Sequence, residues 1–488
     1  MAERFKNLID GKWVDSANGV TFDDINPANK TDVLGSFPRS DHRDIDRAVE
    51  SARSFFPIWS RVPPIRRSEI LHDAARFLDR HAEEVSALIV RESGKVVAEA
   101  QREVQDAGTM LHAIAGETIR SGGTIVPAER PEVYTLALPV PLGVSATVTS
   151  WTFPLAGCLW EVASSLAAGN TVVLKPAEDT PLVAARVVEI LLEAGLPPES
   201  IGLVHGHAEE AGAPLVRHPD AAVVSFVGSP DVGREVAIAC AAEQKRLLLD
   251  LGERSVALVL EDADLELAAE STIRAGLAIA GQRWLGSMQV LVHRKVLREF
   301  GERLVARVQA LRLGDGASAA TDIGPIINEA QLKRVHGHTR MGLRDGARLL
   351  CGGEVVKDAD CKRGFFYAPT VFGDATSKMR VVQEEVSGPT LVLFTVGSVE
   401  DAIEWVHAVR HDVTASVYTR DLTRGLRVIA GLCAGRMFLN PTPIDPGGAS
   451  PLAGFGSHSR FRPRALAQRL EDLGRWNVAT IDSVGKRP

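Results

Sequence analysis

The run Val172-Val173-Leu174-Lys175-Pro176-Ala177-Glu178-Asp179-Thr180-Pro181 takes an apolar stretch into a lysine and a glutamate three residues apart, and Pro181 then opens a helix-like segment. A buried strand that delivers a cation and a carboxylate at its carboxyl end can hold a hydroxyl-bearing ligand, because open α/β sheets bind ligands at the carboxyl ends of their strands. Further on, Phe226-Val227-Gly228-Ser229-Pro230-Asp231-Val232-Gly233 again follows a strand-like run and opens a helix. Glycine there lets backbone approach a ligand closely, and a helix N-terminus offers N–H donors to a pyrophosphate. Taken alone that turn is weak, since many strand-to-helix turns carry glycine for steric reasons. A third polar turn reads Glu384-Glu385-Val386-Ser387-Gly388-Pro389.

Alternating elements must position these turns. Val144–Thr149, Thr171–Leu174, Ile201–Val204, Val223–Val227 and Arg246–Leu251 are strand-like, and helical patterns at Leu155–Ala168 and Pro181–Ala194 lie between them. Gly169-Asn170 and Gly195 close those two helices. The order predicts a doubly wound sheet with helices on both faces. A second α/β stretch follows from about residue 255 to 435, with strands at Val256–Leu260 and Gln289–Val292 and helices at Leu265–Ala280 and Lys295–Leu311. Upstream, Ile70, Ala74, Phe77, Leu78 and Leu88 predict one amphipathic helix after Pro63-Pro64, and a second helix covers Lys95–Ala115. The first fifty residues mix turns with short strand-like runs. Glu132–Pro139 and Trp476–Asp482 are strand-like and stand outside the alternation.

Composition bounds the partners. At 488 residues the chain predicts more than one domain, and 45% hydrophobic with 24% charged residues is ordinary for a globular protein. A formal charge of −7 gives no electrostatic case for nucleic acid or an anionic membrane. Five scattered cysteines make no metal or redox pair and fit a reducing, cytoplasmic setting. The N-terminus has no signal-peptide core, and the apolar stretch Leu136–Val148 is broken by Pro139, Pro141 and Gly143, so no membrane span is expected.

These motifs, with Ile9-Asp10-Gly11-Lys12-Trp13, Glu92-Ser93-Gly94-Lys95, Asp262-Ala263-Asp264-Leu265 and Phe438-Leu439-Asn440, resemble the aldehyde dehydrogenase superfamily along nearly the whole chain. The resemblance implies an α/β fold with a Rossmann-type NAD-binding domain at 1–122 and 141–252, a catalytic-type α/β domain at 253–452, and a β-ribbon oligomerisation arm at 123–140 and 468–488. It implies a homodimer or homotetramer acting on a small-molecule substrate. Residues matching Lys175 and Glu178 hydrogen-bond the adenosine ribose in the family, Gly228, Ser229 and Gly233 match its pyrophosphate turn, and Glu385 matches the acid on the nicotinamide ribose. Glu178 suits two free ribose hydroxyls and repels a 2′-phosphate, which favours NAD over NADP. Ser387 stands where the family usually has an aromatic residue.

At the reaction centre the chain departs from the family. The loop Gly281-Gln282-Arg283-Trp284 resembles Gly-Gln-x-Cys, so Trp284 occupies the nucleophile position, and an indole does not attack a carbonyl as a thiolate does. Trp151-Thr152-Phe153-Pro154 matches Trp-Asn-Phe-Pro and puts Thr152 at the oxyanion position. Leu249-Asp250-Leu251-Gly252-Glu253 matches Leu-Glu-Leu-Gly-Gly and puts a shorter Asp250 at the general-base position. The indole of Trp284 either fills the aldehyde pocket or faces a cationic or planar substrate. Cys158, on a predicted helix after Trp151, could serve as a displaced nucleophile or be a small core residue. His458, Arg460, Arg462 and Arg464 form a basic cluster that could dock an anion or face solvent. Three functions stay open: a non-covalent hydride-transfer oxidoreductase acting on an imine, iminium or carbonyl substrate, a catalytically inactive scaffold or partner subunit, and an aldehyde dehydrogenase with a displaced nucleophile.

Overall fold

The computed structural model describes residues 3–120, 122–252, 254–283, 288–384, 387–408, 413–432, 436–441 and 466–482. Two seven-stranded sheets, a hairpin and a three-stranded ribbon organise them. Strands β1 (Asn7–Ile9) and β2 (Lys12–Val14) precede the hairpin β3 (Thr21–Ile25) and β4 (Val33–Pro38). The ribbon strands β5 (Thr124–Val126) and β6 (Val133–Pro141) come next. The first sheet is then completed by β7 (Val144–Val148), β8 (Thr171–Lys175), β9 (Ile201–Leu203), β10 (Ala221–Gly228) and β11 (Arg246–Leu251). Its order is β11-β10-β7-β8-β9-β1-β2, parallel from β11 to β9, with β1 and β2 antiparallel at the edge. From β7 the chain moves one way to β8 and β9, then crosses to β10 and β11, so the switch point lies between β7 and β10.

Side-chain alternation splits this sheet's core. Val173, Ala146 and Val224 face α1 (His42–Trp59) and its neighbours, while Val172 and Leu174 face the opposite layer. That layer comprises α2 (Pro64–Arg80), α3 (Ala82–Ser93), α4 (Val97–Thr118), α5 (Ala156–Ala167) and α6 (Pro181–Glu193). A register slip of one residue would exchange the two faces, so the pattern fixes the pairing. Helices α7 (Ala213–Arg217) and α8 (Pro230–Ala242) lie on the α1 side.

The second sheet contains β12 (Arg254–Val259), β13 (Met288–His293), β14 (Arg348–Cys351), β15 (Thr370–Gly373), β16 (Thr390–Val396), β17 (Val413–Tyr418) and β18 (Arg436–Leu439). The order is β14-β15-β16-β13-β12-β17-β18, with only β14 antiparallel. Helices α9 (Leu265–Leu277) and α10 (Leu297–Gln309) cover one face. The remaining helices are α11 (Glu329–Arg344), α12 (Arg380–Gln383), α13 (Val399–Ala408) and α14 (Leu422–Gly431), of which α13 and α14 cover the other face. Near the C-terminus, α15 (Leu466–Asp472) leads into β19 (Gly474–Asp482), which pairs antiparallel with β6 over nine residue pairs. The two segments outside the alternation thus meet in one ribbon.

Three expectations are corrected. The single helix after Pro63-Pro64 is two, because His81 leaves helical geometry between α2 and α3 and Leu88 falls on the second. The helix expected over Leu265–Ala280 stops at Leu277, since Ile279 and Ala280 adopt left-handed φ of 55° and 52°. The first fifty residues are not all turn and strand: Asp41 caps α1 by accepting from the Arg43 amide.

Candidate cofactor and reaction site

Topology gathers the singled-out residues. Lys175, Thr152, Ser229 and Asp250 lie at or just beyond the carboxyl ends of β8, β7, β10 and β11, four adjacent strands flanking the switch point. Lys175 is buried, and its Nζ stands 2.9 Å from the Glu178 carboxylate. Burial works to raise the Glu178 carboxyl, but Lys175 and His207, 3.7 Å away, hold it below its ordinary value. The pair is therefore an ionised, part-exposed acceptor at the strand end, a fit for ribose hydroxyls.

Ser229 caps α8, its hydroxyl accepting from the Val232 amide. The first-turn N–H groups of a helix have no partner within it, which leaves donors for a phosphate. Gly233 also has a packing role. A Cβ there would lie 2.4 Å from Leu251, so glycine lets α8 pack on β11.

The reaction end is built otherwise. In β11, Leu249 and Leu251 face the α8 side, while Asp250 points to the opposite face with Leu248. There Arg469 of α15 donates from Nη1 to Asp250 Oδ2 at 3.2 Å and from Nη2 to Glu161 of α5. Ser225 of β10 also donates to Glu161, and the Arg469 guanidinium lies 4.8 Å from the Trp160 ring. Asp250, Glu161 and Arg469 are 5%, 1% and 2% exposed, so two carboxylates and one cation share a dry pocket. Burial, with Asp250 adding to it and Arg469 opposing, pushes the Glu161 carboxyl up to about 8. Protonated Glu161 leaves a neutral arrangement, Asp250 paired to Arg469.

Thr152 is buried and shares a 3.1 Å hydroxyl contact with Ser150. Glu103 of α4 fixes the following turn by accepting from the Leu155 and Ala156 amides at 3.0 and 3.1 Å. Its other oxygen meets Lys95, whose ammonium lies 4.3 Å from the Phe153 ring. Glu99, one turn away on α4, accepts from the Ile279 amide at 2.8 Å and so anchors the left-handed turn that ends α9. Gln282 continues that anchor: its amide donates to the Ile279 and Pro325 carbonyls and accepts from the Ile327 amide. Gly281 passes between them at φ +68°, where a Cβ would strike the Gly388 carbonyl. One helix therefore steadies both the Thr152 turn and the approach to Trp284.

Trp284, Glu385, Cys433 and the cluster His458, Arg460, Arg462 and Arg464 lie outside the described residues. Ser387 is described, and its carbonyl accepts from Gln331 at 2.6 Å. Cys158 is fully buried on α5, and burial pushes its thiol far above the ordinary range. Cys240 and Cys351 are buried free thiols, and Cys361 is buried as well. Sequence reasoning missed Glu99, Glu103, Glu161 and Arg469. The motif ending at Lys95 pointed toward Glu103, and the acid Glu161 inside the apolar run Cys158–Ala163 was the signal for a buried counter-charge.

The Aldehyde dehydrogenase family profile matches residues 13–465. The chain belongs to the aldehyde dehydrogenase family. It is 35% identical to a phenylacetaldehyde dehydrogenase of Pseudomonas fluorescens over 92% of this chain and 90% of that one. It is 32% identical to the alpha-ketoglutaric semialdehyde dehydrogenase of Bacillus subtilis over 94% and 95%. Among solved structures, HpcC from Thermus thermophilus superposes with a TM-score of 0.92 at 33% identity, covering 100% of this chain and 94% of that one. Betaine aldehyde dehydrogenase from Staphylococcus aureus, in complex with NAD+, does so with 0.93 at 27%, covering 99% and 95%. The aldehyde dehydrogenase fold, two mixed sheets and a β-ribbon, is thus shared by this chain. Among the described residues, no helix is long and apolar enough to cross a membrane.

Proposed function

We propose that this aldehyde dehydrogenase relative binds NAD(H) and has lost thiol-dependent aldehyde oxidation, acting as a hydride-transfer oxidoreductase without a covalent intermediate. The supporting observation is the distribution of sulfur: no cysteine occurs from residue 241 to 350, the stretch that contains the Gly281-Gln282 loop, and Cys158 is buried with its thiol suppressed. Burial therefore weighs against Cys158, the thiol that the displaced-nucleophile alternative would use.

In this proposal Lys175 and Glu178 hold the adenosine ribose, Ser229 and the α8 N-terminus take the pyrophosphate, and Glu385 holds the second ribose. NAD is preferred over NADP because Glu178 is ionised. A bound nicotinamide would accept or supply one hydride, two electrons with one proton. Thr152 presents a hydroxyl to the substrate side, and Trp284 excludes water or stacks on a planar cation such as an iminium. Asp250, tied to Arg469 in its buried pocket, does not act as a base in this proposal. The domain limits 1–122 with 141–252, 253–452, and 123–140 with 468–488, a ribbon-mediated homo-oligomer and a cytoplasmic setting belong to the same proposal.

The pairing of Asp250 with Arg469 also favours a second reading, an inactive scaffold, because it withdraws the base-position carboxylate. Calorimetric titration with NAD+ and NADH separates the two, and no heat at millimolar cofactor leaves only the scaffold. Intact mass after aldehyde exposure tests the loss of thiol chemistry: an acyl or hemithioacetal adduct overturns it.

A further inference from the structure

We propose that the second sheet carries a separate binding site for a phosphate monoester. A cleft of about 350 Å³ opens outside the carboxyl ends of β12, β13 and β16, beneath α14. This is the edge at which open α/β sheets place ligands. It is the edge opposite the amino end of β13 at Met288, since the cleft lies past His293, about 20 Å along a strand of this length.

The lining is strongly charged. Arg294 and Lys295 follow β13, and Arg424 and Arg427 stand one turn apart on α14. Glu261 and Glu400 are the carboxylates of the lining, and behind them Asp262 stands 3.9 Å from Arg424 and Asp401 accepts from the Gly397 amide at 3.0 Å, so Arg294 and Lys295 are the cations left to face the opening.

Both carboxylates are already engaged as struts. Arg424 pairs with Glu261 at 3.1 Å, and Arg427 with Glu400 at 3.0 Å. Asp262 fixes the turn into α14 by accepting from the Thr419 hydroxyl and the Arg420 and Asp421 amides, which sets the direction of Arg424. His293, buried in the lining, has Nε2 3.0 Å from the Gly397 carbonyl and 3.7 Å from the Glu261 carboxylate. The N-terminus of α13, a ten-residue helix, begins at Val399 on the same wall and adds first-turn N–H donors. Planar guanidinium groups and backbone N–H donors around a polar cleft suit a tetrahedral phosphate. The volume, at the low end of ligand sites, leaves room for a small organic group beyond it.

The test is calorimetric titration of the full chain with inorganic phosphate and with phenyl phosphate, at ionic strength held constant with chloride. Phenyl phosphate is expected to bind more tightly than inorganic phosphate. The Arg294→Ala/Lys295→Ala variant, whose two side chains are exposed, is expected to bind about tenfold or more weakly, a loss readable directly in Kd, with an unchanged Tm in the absence of ligand. Absence of binding overturns the proposal. So does equal affinity in the variant, which would place the anion elsewhere, at Ser229 for instance. Equal binding of the two probes overturns the monoester assignment.

Discussion

Along one edge of the first sheet, two strands end in contrasting environments. At β8 the Lys175–Glu178 pair keeps its carboxylate a third exposed, ionised and able to accept from an incoming ligand. At β11 Asp250 is turned the other way, into a pocket where Arg469 and Glu161 enclose it. The first arrangement is left open to solvent; the second spends its charges on one another. The difference teaches that two charged strand ends on one sheet edge can be put to opposite uses, one left open and one closed on itself, according to which face of its strand each residue occupies.

The largest effect should come from breaking the enclosed side. Arg469→Ala leaves the buried Asp250 without its cation and is expected to destabilise the fold by about 3–5 kcal/mol in urea unfolding. Glu178→Ala, at a pair whose carboxylate is a third exposed, should cost less by the same measurement. Equal losses would erase the contrast.

Cofactor affinity should show the reverse order. Glu178→Ala removes hydrogen bonds to a charged acceptor and is expected to raise the Kd for NADH about tenfold in calorimetry, because each such bond contributes about 1.5–3 kcal/mol before water replaces part of it.

A smaller effect is the dependence on pH. Glu161 holds its proton in the fold up to about pH 8, whereas an unfolded glutamate loses it near its ordinary 4.5. The folded chain therefore binds more protons between those values, and stability is full below the lower one and falls as pH rises through the higher. Asp24, raised by burial to about 7, acts in the same direction. Unfolding free energies at pH 5 and pH 9 should differ less in Glu161→Gln than in the native chain. The smallest expected effect is none: Trp284→Cys alone should restore no aldehyde-dependent NADH absorbance, because Thr152 and Asp250 remain. Robust oxidation by that variant would show a working base and break the comparison at its reaction end.

Much of the scaffold was legible because its strands are apolar and its turns carry glycine and proline. Arg246–Leu251 emerged with its limits intact, and the two ribbon segments stood out as departures from the alternation. The polar turns at Lys175 and Ser229 were visible for the same reason. What stayed hidden was the seam beneath α5. Ser145, Thr147, Ser225 and Asp250 alternate with apolar neighbours, a pattern that marks a solvated face on an antiparallel sheet. Here they face Glu161, Ser165 and Arg469 in the interior. Local periodicity cannot supply a partner that lies more than two hundred positions away, as Arg469 does from Asp250 and Ser225. The end of α9 was hidden likewise, since its left-handed turn is held by Glu99 from another helix.

Arg469 arrives late in synthesis. By the time a ribosome reaches it, Glu161, Ser225 and Asp250 have long since emerged, and the sheet that contains them has had time to collapse around an uncompensated pair of acids. The final packing of that sheet must wait for α15, so a product truncated before this helix should remain loosely packed and open to proteolysis.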